Sequence, residues 1–401
     1  MTVVEKDGLS PYHPVYNQPR PYLPAQGSLL SRPGLPPGNE AGLEALSKVI
    51  GHAADEAAHD HVPSPLENPD GQGRQRPMRR IWNLPVVELK AYQDIDETRA
   101  VGLVTSAPAW SAVSGRLGHL HVASHMEVTE ATAQHWEAVA KGSLANDRCE
   151  VIYAVGGGLA ADAAKYFACQ LDLPLVCLPT ALSVDAFLTA ASGIRRDGCV
   201  TYIETKPPEA LILDLNVIAA APSSIRSAGI TDVLSIATGC WDWRFAHERG
   251  QNPPDMEFIP FVYDNAQSIL QGALDCAEAA GRGDPHGLKQ LYDCLALEVQ
   301  LCNQIGHARP EEGSEHYFAY CVENLVGPGL PHGDLVGPGI LVAARLQGQD
   351  AAPLKKALTD CHVPWGGIAE EMTRRALRQL PNFCRKHGLA YGIAHTLDER
   401  S

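Results

Sequence analysis

Short apolar runs alternate with segments of helical periodicity from about residue 81 to residue 221. The apolar runs stand in the segments AVGLVTS, HLHVAS, CEVIYAVGGG, LPLVCLPT and EALILDL. Such runs, which are rich in Val, Ile and Leu and end in Gly, Pro or Thr, are typical of strands buried on both faces of a parallel sheet. Strands that alternate with helices predict an α/β domain.

The pattern changes after Pro222. From SSIRSAGITDVLSIATGCWDWRFAHERG to the end of the chain, apolar positions recur only at helical spacing. We therefore predict an α/β domain over residues 79–221 and an all-α domain over residues 222–401. A cleft between two such domains is the natural place for a ligand.

Residues 1–78 have a different composition, because they hold twelve of the thirty prolines. Proline removes backbone donors and blocks helix interiors, so this stretch is predicted to be an extended or partly disordered leader. One helix is expected near residues 40–60, where Leu43, Leu46 and Ile50 recur at helical spacing. A dispensable tail and an arm that wraps a neighbouring subunit are equally good interpretations.

Composition narrows the class of protein. A chain of 401 residues is long enough for two domains. The net charge of −15 argues against a nucleic-acid partner, since phosphate backbones require a basic face. No apolar stretch is long enough for a membrane span, and the N-terminus MTVVEKDGLSPYHP lacks the apolar core of a secretory signal. Eleven scattered cysteines without a C-x-x-C pair favour reduced thiols, and we expect a cytoplasmic protein.

The segment CEVIYAVGGGLAADAAKYFA predicts a strand, a three-glycine turn and a helix. Glycine lets the backbone approach a pyrophosphate closely, and a helix N-terminus supplies oriented N–H groups. A tight strand–helix connection without a ligand is the alternative. Asp162 and Lys165, three residues apart on the predicted helix, are expected to form a solvated pair.

The segment LPLVCLPTALSVDAF follows one helix later. Thr180 and Ser183 come just after the carboxyl end of a predicted strand, where α/β folds bind ligands. Their hydroxyls suit cofactor phosphate or amide groups, and Asp185 suits a substrate hydroxyl. A polar turn that caps a helix explains the same residues equally well.

Three later segments carry candidate metal ligands: AGITDVLS with Asp232, EEGSEHYF with His316 and LPHGDLVG with His332. Two imidazoles and one carboxylate suit zinc or ferrous iron and leave positions open for a substrate oxygen. The ligands lie far apart in the sequence, so no local spacing supports them, and on composition alone a histidine is more often an ordinary surface or core residue than a ligand.

Taken in chain order, seven segments resemble the sn-glycerol-1-phosphate dehydrogenase family: GGGLAAD, PTALSVD, LILDL, AGITD, CWDWRFA, ARPEEGSEH and PHGDLVGPG. That family shares a superfamily with glycerol dehydrogenase, iron-type alcohol dehydrogenases and dehydroquinate synthase. The resemblance extends from about Leu84 to Gly339. It implies a dehydroquinate synthase-like fold, in which the α/β domain binds a dinucleotide and the helical domain binds metal and substrate.

The resemblance also implies roles for individual residues. NAD or NADP would lie against Gly156, Gly157, Gly158, Asp162, Thr180, Ser183 and Thr189. One divalent ion, zinc rather than iron, would be bound by Asp232, His316 and His332. Asp185 and Asp232 would contact a small phosphorylated substrate and take part in catalysis. Arg309 would neutralise the substrate phosphate, although an ordinary cation of a surface loop is an equally good interpretation. We expect a homo-oligomer.

Two departures from the family concern the chemistry. A second histidine usually follows the first metal histidine by four residues, but here HYFAY places Tyr320 at that position, where we expect it to contact substrate and to take part in catalysis. With an ordinary pKa of about 10, tyrosine is a poorer general base near neutrality than histidine. The usual HGE is HGD at Asp334. A third feature concerns the cofactor. Many dinucleotide folds carry an acidic residue at the end of the second strand, but here that position is Ser106. Without the carboxylate there is no charge repulsion against the 2′-phosphate of NADP.

These observations predict a metal-dependent NAD(P)-linked oxidoreductase that acts on a small polyol phosphate or ketose phosphate. One alternative is a sugar-phosphate cyclase or lyase of the dehydroquinate synthase type that uses NAD catalytically. Against it, Ser235 stands three residues after Asp232, where such sequences carry a lysine. Another alternative is a non-catalytic, repurposed homologue, which the replacement at Tyr320 favours.

Overall fold

The computed structural model describes residues 81–140 and 148–397. The predicted proline-rich leader and the helix expected near residues 40–60 lie outside these ranges. All of the described structure belongs to one compact unit.

A six-stranded parallel sheet forms the N-terminal part of the described structure, with the strand order β1-β8-β5-β4-β2-β3. Two further strands form a separate antiparallel pair, β6-β7. The strands are β1 (Val86–Leu89), β2 (Val101–Thr105), β3 (Val122–Glu127), β4 (Val151–Gly156), β5 (Leu175–Pro179), β6 (Ala191–Arg196), β7 (Cys199–Glu204) and β8 (Ala210–Leu213).

The central strands are buried on both faces, which explains their continuous apolar sequences. Every residue of β2, β4 and β5 is buried. Within β4, Ile152 packs into one apolar cluster and Tyr153 into another on the opposite face. Because successive side chains of a strand point to opposite faces, a strand covered on both sides needs apolar residues throughout.

The order of the strands creates a crevice between β2 and β4. From β2 the chain moves outward to β3, whereas from β4 it moves in the other direction to β5. Open α/β sheets bind ligands outside the carboxyl ends of the strands at such a reversal. Here those ends are Thr105 and Gly156.

Helices surround the sheet and make up the rest of the described chain. They are α1 (Ala107–Val113), α2 (Ala133–Val139), α3 (Gly158–Leu171), α4 (Leu215–Ala220), α5 (Ser223–Arg226), α6 (Ile230–Leu234), α7 (Ile236–Glu248), α8 (Pro260–Arg282), α9 (Pro285–Ile305), α10 (Ser314–Val326), α11 (His332–Leu346), α12 (Ala352–Asp360) and α13 (Glu370–His387). The last strand of the described structure therefore ends at Leu213. The predicted class, a parallel α/β part followed by a helical part, is confirmed; the domain boundary at residues 221–222 stays a prediction.

Local sequence explains the ends of the two longest helices. Gly283 ends α8 with a φ of 80°, a left-handed conformation that favours glycine. Asp284 then caps α9, because its carboxylate accepts hydrogen bonds from the backbone of His286 and Gly287, and Pro285 occupies the first turn. A two-residue connection thus folds α9 back along α8.

The antiparallel pair β6-β7 was not among the strands expected from the sequence. Its turn is the dipeptide Asp197-Gly198, and both residues have positive φ values of 54° and 77°. Asp-Gly between two extended segments favours a two-residue hairpin loop. This local signal was therefore present in the sequence.

No helix in the described ranges is both long and apolar enough to cross a membrane. The described cysteines are free thiols, and most of them are buried in the core.

Candidate active site

The glycine turn lies at the crevice between β2 and β4. Gly156 ends β4 with a φ of 149°, and a Cβ atom there would lie 3.1 Å from the Ala160 Cβ and 3.3 Å from the Ser106 Oγ. Only a residue without a side chain lets the ends of β2 and β4 approach in this way. Helix α3 begins at Gly158, so its first backbone N–H groups lie at the turn. The structure therefore places Ser106 beside the predicted cofactor turn.

Residues 183–185 lie between the glycine turn and a predicted metal ligand. A Cβ atom on Gly157 would lie 2.9 Å from the Ser183 Oγ, so the loop after β5 covers the turn. Two residues later, the backbone N–H of Asp185 donates a hydrogen bond of 3.0 Å to Oδ2 of Asp232. Thr180 adds a backbone hydrogen bond of 3.2 Å to the carbonyl of Gly156. One short loop thus joins the candidate cofactor and metal sites.

Lys165 corrects the expectation of a solvated pair. Its ammonium group does pair with Asp162 at 2.8 Å, but its side chain is completely buried. It also donates hydrogen bonds to the Thr189 hydroxyl, at 2.8 Å, and to the carbonyl of Ala191. Packing of β6 over α3 excludes water from this face of the helix, so Lys165 anchors Asp162 and Thr189 together beneath the turn.

The three candidate metal ligands come from three different helices and meet. Asp232 is on α6, His316 on α10 and His332 at the start of α11, and one ligand atom from each lies within 4.8 Å of the others. The His332 Nε2 and the Asp232 Oδ1 are 3.0 Å apart, and the two imidazole rings are separated by 5.3 Å between centroids. The arrangement fits one divalent ion, because two imidazoles and one carboxylate converge with further positions open.

A buried carboxylate orients His316. The Nδ1 of His316 lies 3.0 Å from Oε1 of Glu315, and Glu315 also accepts hydrogen bonds from Thr238 and from the backbone of Gly313. Burial by itself lowers the pKa of His316, but the hydrogen bond and charge of Glu315 outweigh it and raise the pKa to about 9. Because Nδ1 is engaged, Nε2 is the atom left for a metal, as in carboxylate–histidine–metal triads. Sequence reasoning missed Glu315, although its place beside His316 was visible.

Tyr320 lies beside His316, one helical turn farther along α10, with their ring centroids 6.0 Å apart. Its hydroxyl donates a hydrogen bond of 2.9 Å to Glu312 Oε1 and lies 3.2 Å from the hydroxyl of Tyr202 on β7. Burial, together with the charge of Glu312, raises the pKa of Tyr320 well above its ordinary value. The side chain is therefore suited to donate a hydrogen bond and unsuited to act as a base near neutrality. Sequence reasoning missed Glu312 and Tyr202.

Arg309 is buried away from water, and its guanidinium is held by the protein. Its Nη1 donates to the Tyr317 hydroxyl at 3.4 Å, and its Nη2 donates to the carbonyl of Tyr391 at 2.8 Å. Neither of these contacts joins it to Asp232, His316 or His332. The phosphate-binding role of Arg309 stays a prediction.

Comparison with known proteins gives two kinds of likeness. A family model described as iron-containing alcohol dehydrogenase matches residues 86–222. The chain is 33% identical to a glycerol-1-phosphate dehydrogenase [NAD(P)+] of Sulfurisphaera tokodaii over 246 residues, which are 60% of this chain and 68% of the relative. It is 30% identical to the enzyme of the same name from Pyrococcus furiosus, over 59% of this chain and 67% of the relative. The chain belongs to the glycerol-1-phosphate dehydrogenase family of iron-containing alcohol dehydrogenases.

Solved structures agree on the fold of this glycerol-1-phosphate dehydrogenase family member. A probable glycerol dehydrogenase from Sinorhizobium meliloti superposes with a TM-score of 0.58 at 19% identity, covering 79% of this chain and 93% of that one. Glycerol dehydrogenase from Schizosaccharomyces pombe gives a TM-score of 0.56 at 19% identity, covering 79% and 86%. The expected fold is thereby confirmed, and the relatives that are 30% or more identical confirm the expected family. The expected enzyme class, an NAD(P)-linked oxidoreductase, is confirmed at the level of the family.

Proposed function

We propose that this chain is a metal-dependent NAD(P)-linked oxidoreductase that interconverts a small polyol phosphate and the corresponding ketose phosphate. Glycerol 1-phosphate and dihydroxyacetone phosphate are the first pair to test, because the relatives from Sulfurisphaera tokodaii and Pyrococcus furiosus carry the name glycerol-1-phosphate dehydrogenase. The observation that carries the proposal is the loop 183–185, which contacts the glycine turn at Ser183 and the metal ligand Asp232 at Asp185. A nicotinamide and a metal-bound substrate would therefore be neighbours.

Asp232, His316 and His332 would bind the metal, which supplies Lewis-acid stabilisation of the substrate oxygen when it is bound. With the metal bound, Glu315, 3.0 Å from Nδ1, would hold the remaining ring proton of His316 on Nδ1, so that Nε2 would serve as the ligand atom. We propose zinc rather than iron, because zinc accepts this donor set and, unlike ferrous iron, has no second oxidation state to which it can be oxidised. Asp185, held at its backbone by Asp232, would orient a substrate hydroxyl.

The dinucleotide would lie along the turn of Gly156, Gly157 and Gly158, with its pyrophosphate at the N-terminus of α3. The hydroxyls of Thr180 and Ser183 would position phosphate or amide groups. Lys165 holds Asp162 and Thr189 in place below this turn. Ser106, next to Gly156, brings no negative charge toward a 2′-phosphate, so we propose that NADPH is accepted as well as NADH.

Tyr320 and Arg309 are the remaining residues to which we assign a substrate role. Tyr320 lies beside His316 and would have to turn its single hydroxyl proton from Glu312 to a substrate oxygen before it could donate a hydrogen bond there. Arg309 would first have to leave Tyr317 or Tyr391 before it could bind a phosphate. We also propose a cytoplasmic homo-oligomer, which light scattering and cell fractionation would test.

The test of the proposed function combines metal content with turnover. Purified wild-type protein is expected to hold one zinc or iron per chain in elemental analysis and to oxidise NAD(P)H stoichiometrically with dihydroxyacetone phosphate. His316→Ala should lose both the metal and at least about a hundredfold of the activity, since ligand loss removes the Lewis acid. His121→Ala, on an exposed residue, is the matched control and should retain both.

Three results would contradict this proposal. Equal metal content in wild type and His316→Ala would remove His316 from the ligand set. Product formation without net change in NAD(P)H absorbance would point to a cyclase. Against a cyclase, the position where such sequences carry a lysine is Ser235, which has no amine and donates its hydroxyl to the carbonyl of Thr231. Bound metal with no turnover on triose, tetrose or heptulose phosphates would point to a non-catalytic homologue.

A further inference from the structure

A second group of acidic side chains lies next to Asp185. Glu298 comes from the middle of α9 and Glu311 from the turn that precedes α10. One carboxylate oxygen from each of Asp185, Glu298 and Glu311 lies within 4.8 Å of the other two. The three residues are separated by more than a hundred positions at the widest, and the fold brings them together.

The most unusual member is Glu298. Only 1% of this residue is exposed, and neither of its carboxylate oxygens receives a hydrogen bond from any described donor. The Oε2 of Glu311 is likewise buried and without a described donor. A buried carboxylate that lacks donors costs several kcal/mol unless a cation or a proton compensates its charge.

No lysine or arginine in the described ranges forms an ion pair with any of these three carboxylates. Lys165, which acts on Asp185 from a distance, is already paired with Asp162. Burial raises the pKa of Glu298 well above its usual range, and the negative charge of Glu311 raises it further. Burial and the closeness of three carboxyl groups thus disfavour ionisation of all three, unless a proton or a cation balances the charge.

We propose that Asp185, Glu298 and Glu311 bind a second divalent cation of the hard, oxygen-preferring kind, namely Mg²⁺, Mn²⁺ or Ca²⁺. Three carboxylates are the donor set that such ions prefer, whereas the imidazoles of His316 and His332 suit zinc or iron. Oxygen ligands bind these ions at about 2.0–2.6 Å, so opposite ligands stand about 4–5 Å apart. That spacing agrees with the separation of the three carboxylates.

Asp185 connects the two sites, because its backbone N–H donates to Oδ2 of Asp232 while its carboxylate belongs to the second group. The second cation would therefore lie beside the first. The second cation would supply positive charge for a substrate phosphate. The chain has a net charge of −15, and its Arg309 is already held by Tyr317 and Tyr391, so another source of positive charge would favour phosphate binding. This role toward a phosphate rests on the proposed function, whereas binding of the cation does not.

Metal titration of the full chain tests the proposal. Protein stripped with a chelator is reloaded with one equivalent of Zn²⁺ and then titrated with Mn²⁺, with free Mn²⁺ followed by electron paramagnetic resonance. We expect one Mn²⁺ per chain in addition to the zinc, which Mg²⁺ or Ca²⁺ displaces. Glu298→Gln and Glu311→Gln, each close to isosteric, should weaken Mn²⁺ binding at least about tenfold, equivalent to about 1.4 kcal/mol. Glu323→Gln is the control, because Glu323 is a buried carboxylate paired with Arg195 outside the pocket.

Two outcomes would overturn the second site. In the first, the wild-type protein binds no Mn²⁺ beyond the zinc, and its infrared spectrum shows the band of a protonated carboxyl that Glu298→Gln abolishes. This result would mean that Glu298 and Glu311 share a proton instead of binding a cation. The second is equal Mn²⁺ affinity in wild type and both glutamine variants. His316→Ala separates the two proposals, since it should lose zinc and turnover yet retain the Mn²⁺ site.

Discussion

Tyr320 shows how one residue can change the chemistry available in an inherited fold. It projects toward His316 from the next turn of α10, as the spacing of four residues requires. Its surroundings are Glu312 and Tyr202, which hold its hydroxyl from two sides. A residue in this environment keeps its proton and acts as a donor. Proton transfer near neutrality must then use another group.

We expect Tyr320→Phe to lower the free energy of unfolding by about 1–3 kcal/mol, because the Glu312 carboxylate loses a buried donor. Urea denaturation measures this loss. Tyr202→Phe is the matched control and should lower the free energy of unfolding less, since Tyr202 is 54% exposed.

In kinetics, Tyr320→Phe should raise KM and leave the pH dependence of kcat unchanged around neutrality. Disappearance of a kinetic pKa near neutrality in this variant would show that Tyr320 does transfer a proton.

At the scale of elements, the turn between β4 and α3 is shaped by what packs over it. The loop after β5 lies so close that a side chain on Gly157 would meet Ser183, and one on Gly158 would come within 2.8 Å of the Val184 Cγ2. A triglycine sequence is therefore required by packing as well as by any pyrophosphate. Both requirements act on the same backbone atoms, which is why the sequence pattern did not distinguish a ligand site from a tight connection.

Gly157→Val tests the pyrophosphate requirement, provided that its urea unfolding matches that of the wild type, because the added Cβ would also lie 2.9 Å from the Ser183 Oγ. Gly157 has an extended backbone, with φ −98° and ψ −157°, so a branched side chain causes no backbone strain there. The valine should nevertheless occupy the space of the pyrophosphate and reduce affinity for NADH and NADPH at least about tenfold in calorimetric titration. Gly118→Ala, where an added Cβ meets nothing within 4 Å, is the control. Unchanged affinity in Gly157→Val would place the cofactor elsewhere.

At the scale of the whole molecule, the metal ligands connect elements that the chain keeps far apart. Asp232 and His332 are separated by a hundred positions, and α8 and α9 fold between them. Asp185 adds the loop after β5 to the same group through its hydrogen bond to Asp232. An ion bound here would hold together three helices and the loop at the carboxyl end of strand β5.

Removal of the metal should therefore destabilise the folded chain as a whole. An ion at a hundred times its Kd stabilises the native state by about 2.7 kcal/mol, and chelation should lower Tm by several degrees. Differential scanning calorimetry with and without chelator, followed by addition of Zn²⁺, measures the shift. His121→Ala should respond like wild type, and His316→Ala should not respond. A wild-type Tm that stays constant while elemental analysis records loss of the metal would contradict this expectation.

The sequence by itself determined the class of fold and the order of its parts. A continuous apolar run such as the one in β4 is stable only in a strand that is buried on both faces. The glycine turn and the helical periodicity after Pro222 likewise depend only on residues that are close in the sequence, so they predict local structure directly. The metal trio of Asp232, His316 and His332 came from resemblance to a family, since no local spacing joins these residues. Their convergence within 4.8 Å is what the structure added.

Only the tertiary structure decided the environments of the charged groups. Lys165, expected in solvent, is buried because β6 covers its face of α3. Glu298 has the appearance of an ordinary polar residue on a helix, yet it faces Asp185 and Glu311 inside the protein. The physical reason is that desolvation and charge–charge repulsion depend on distances between atoms from remote segments. Periodicity in the sequence reports which face of a helix is apolar, but the neighbours that a buried charge meets are chosen by packing.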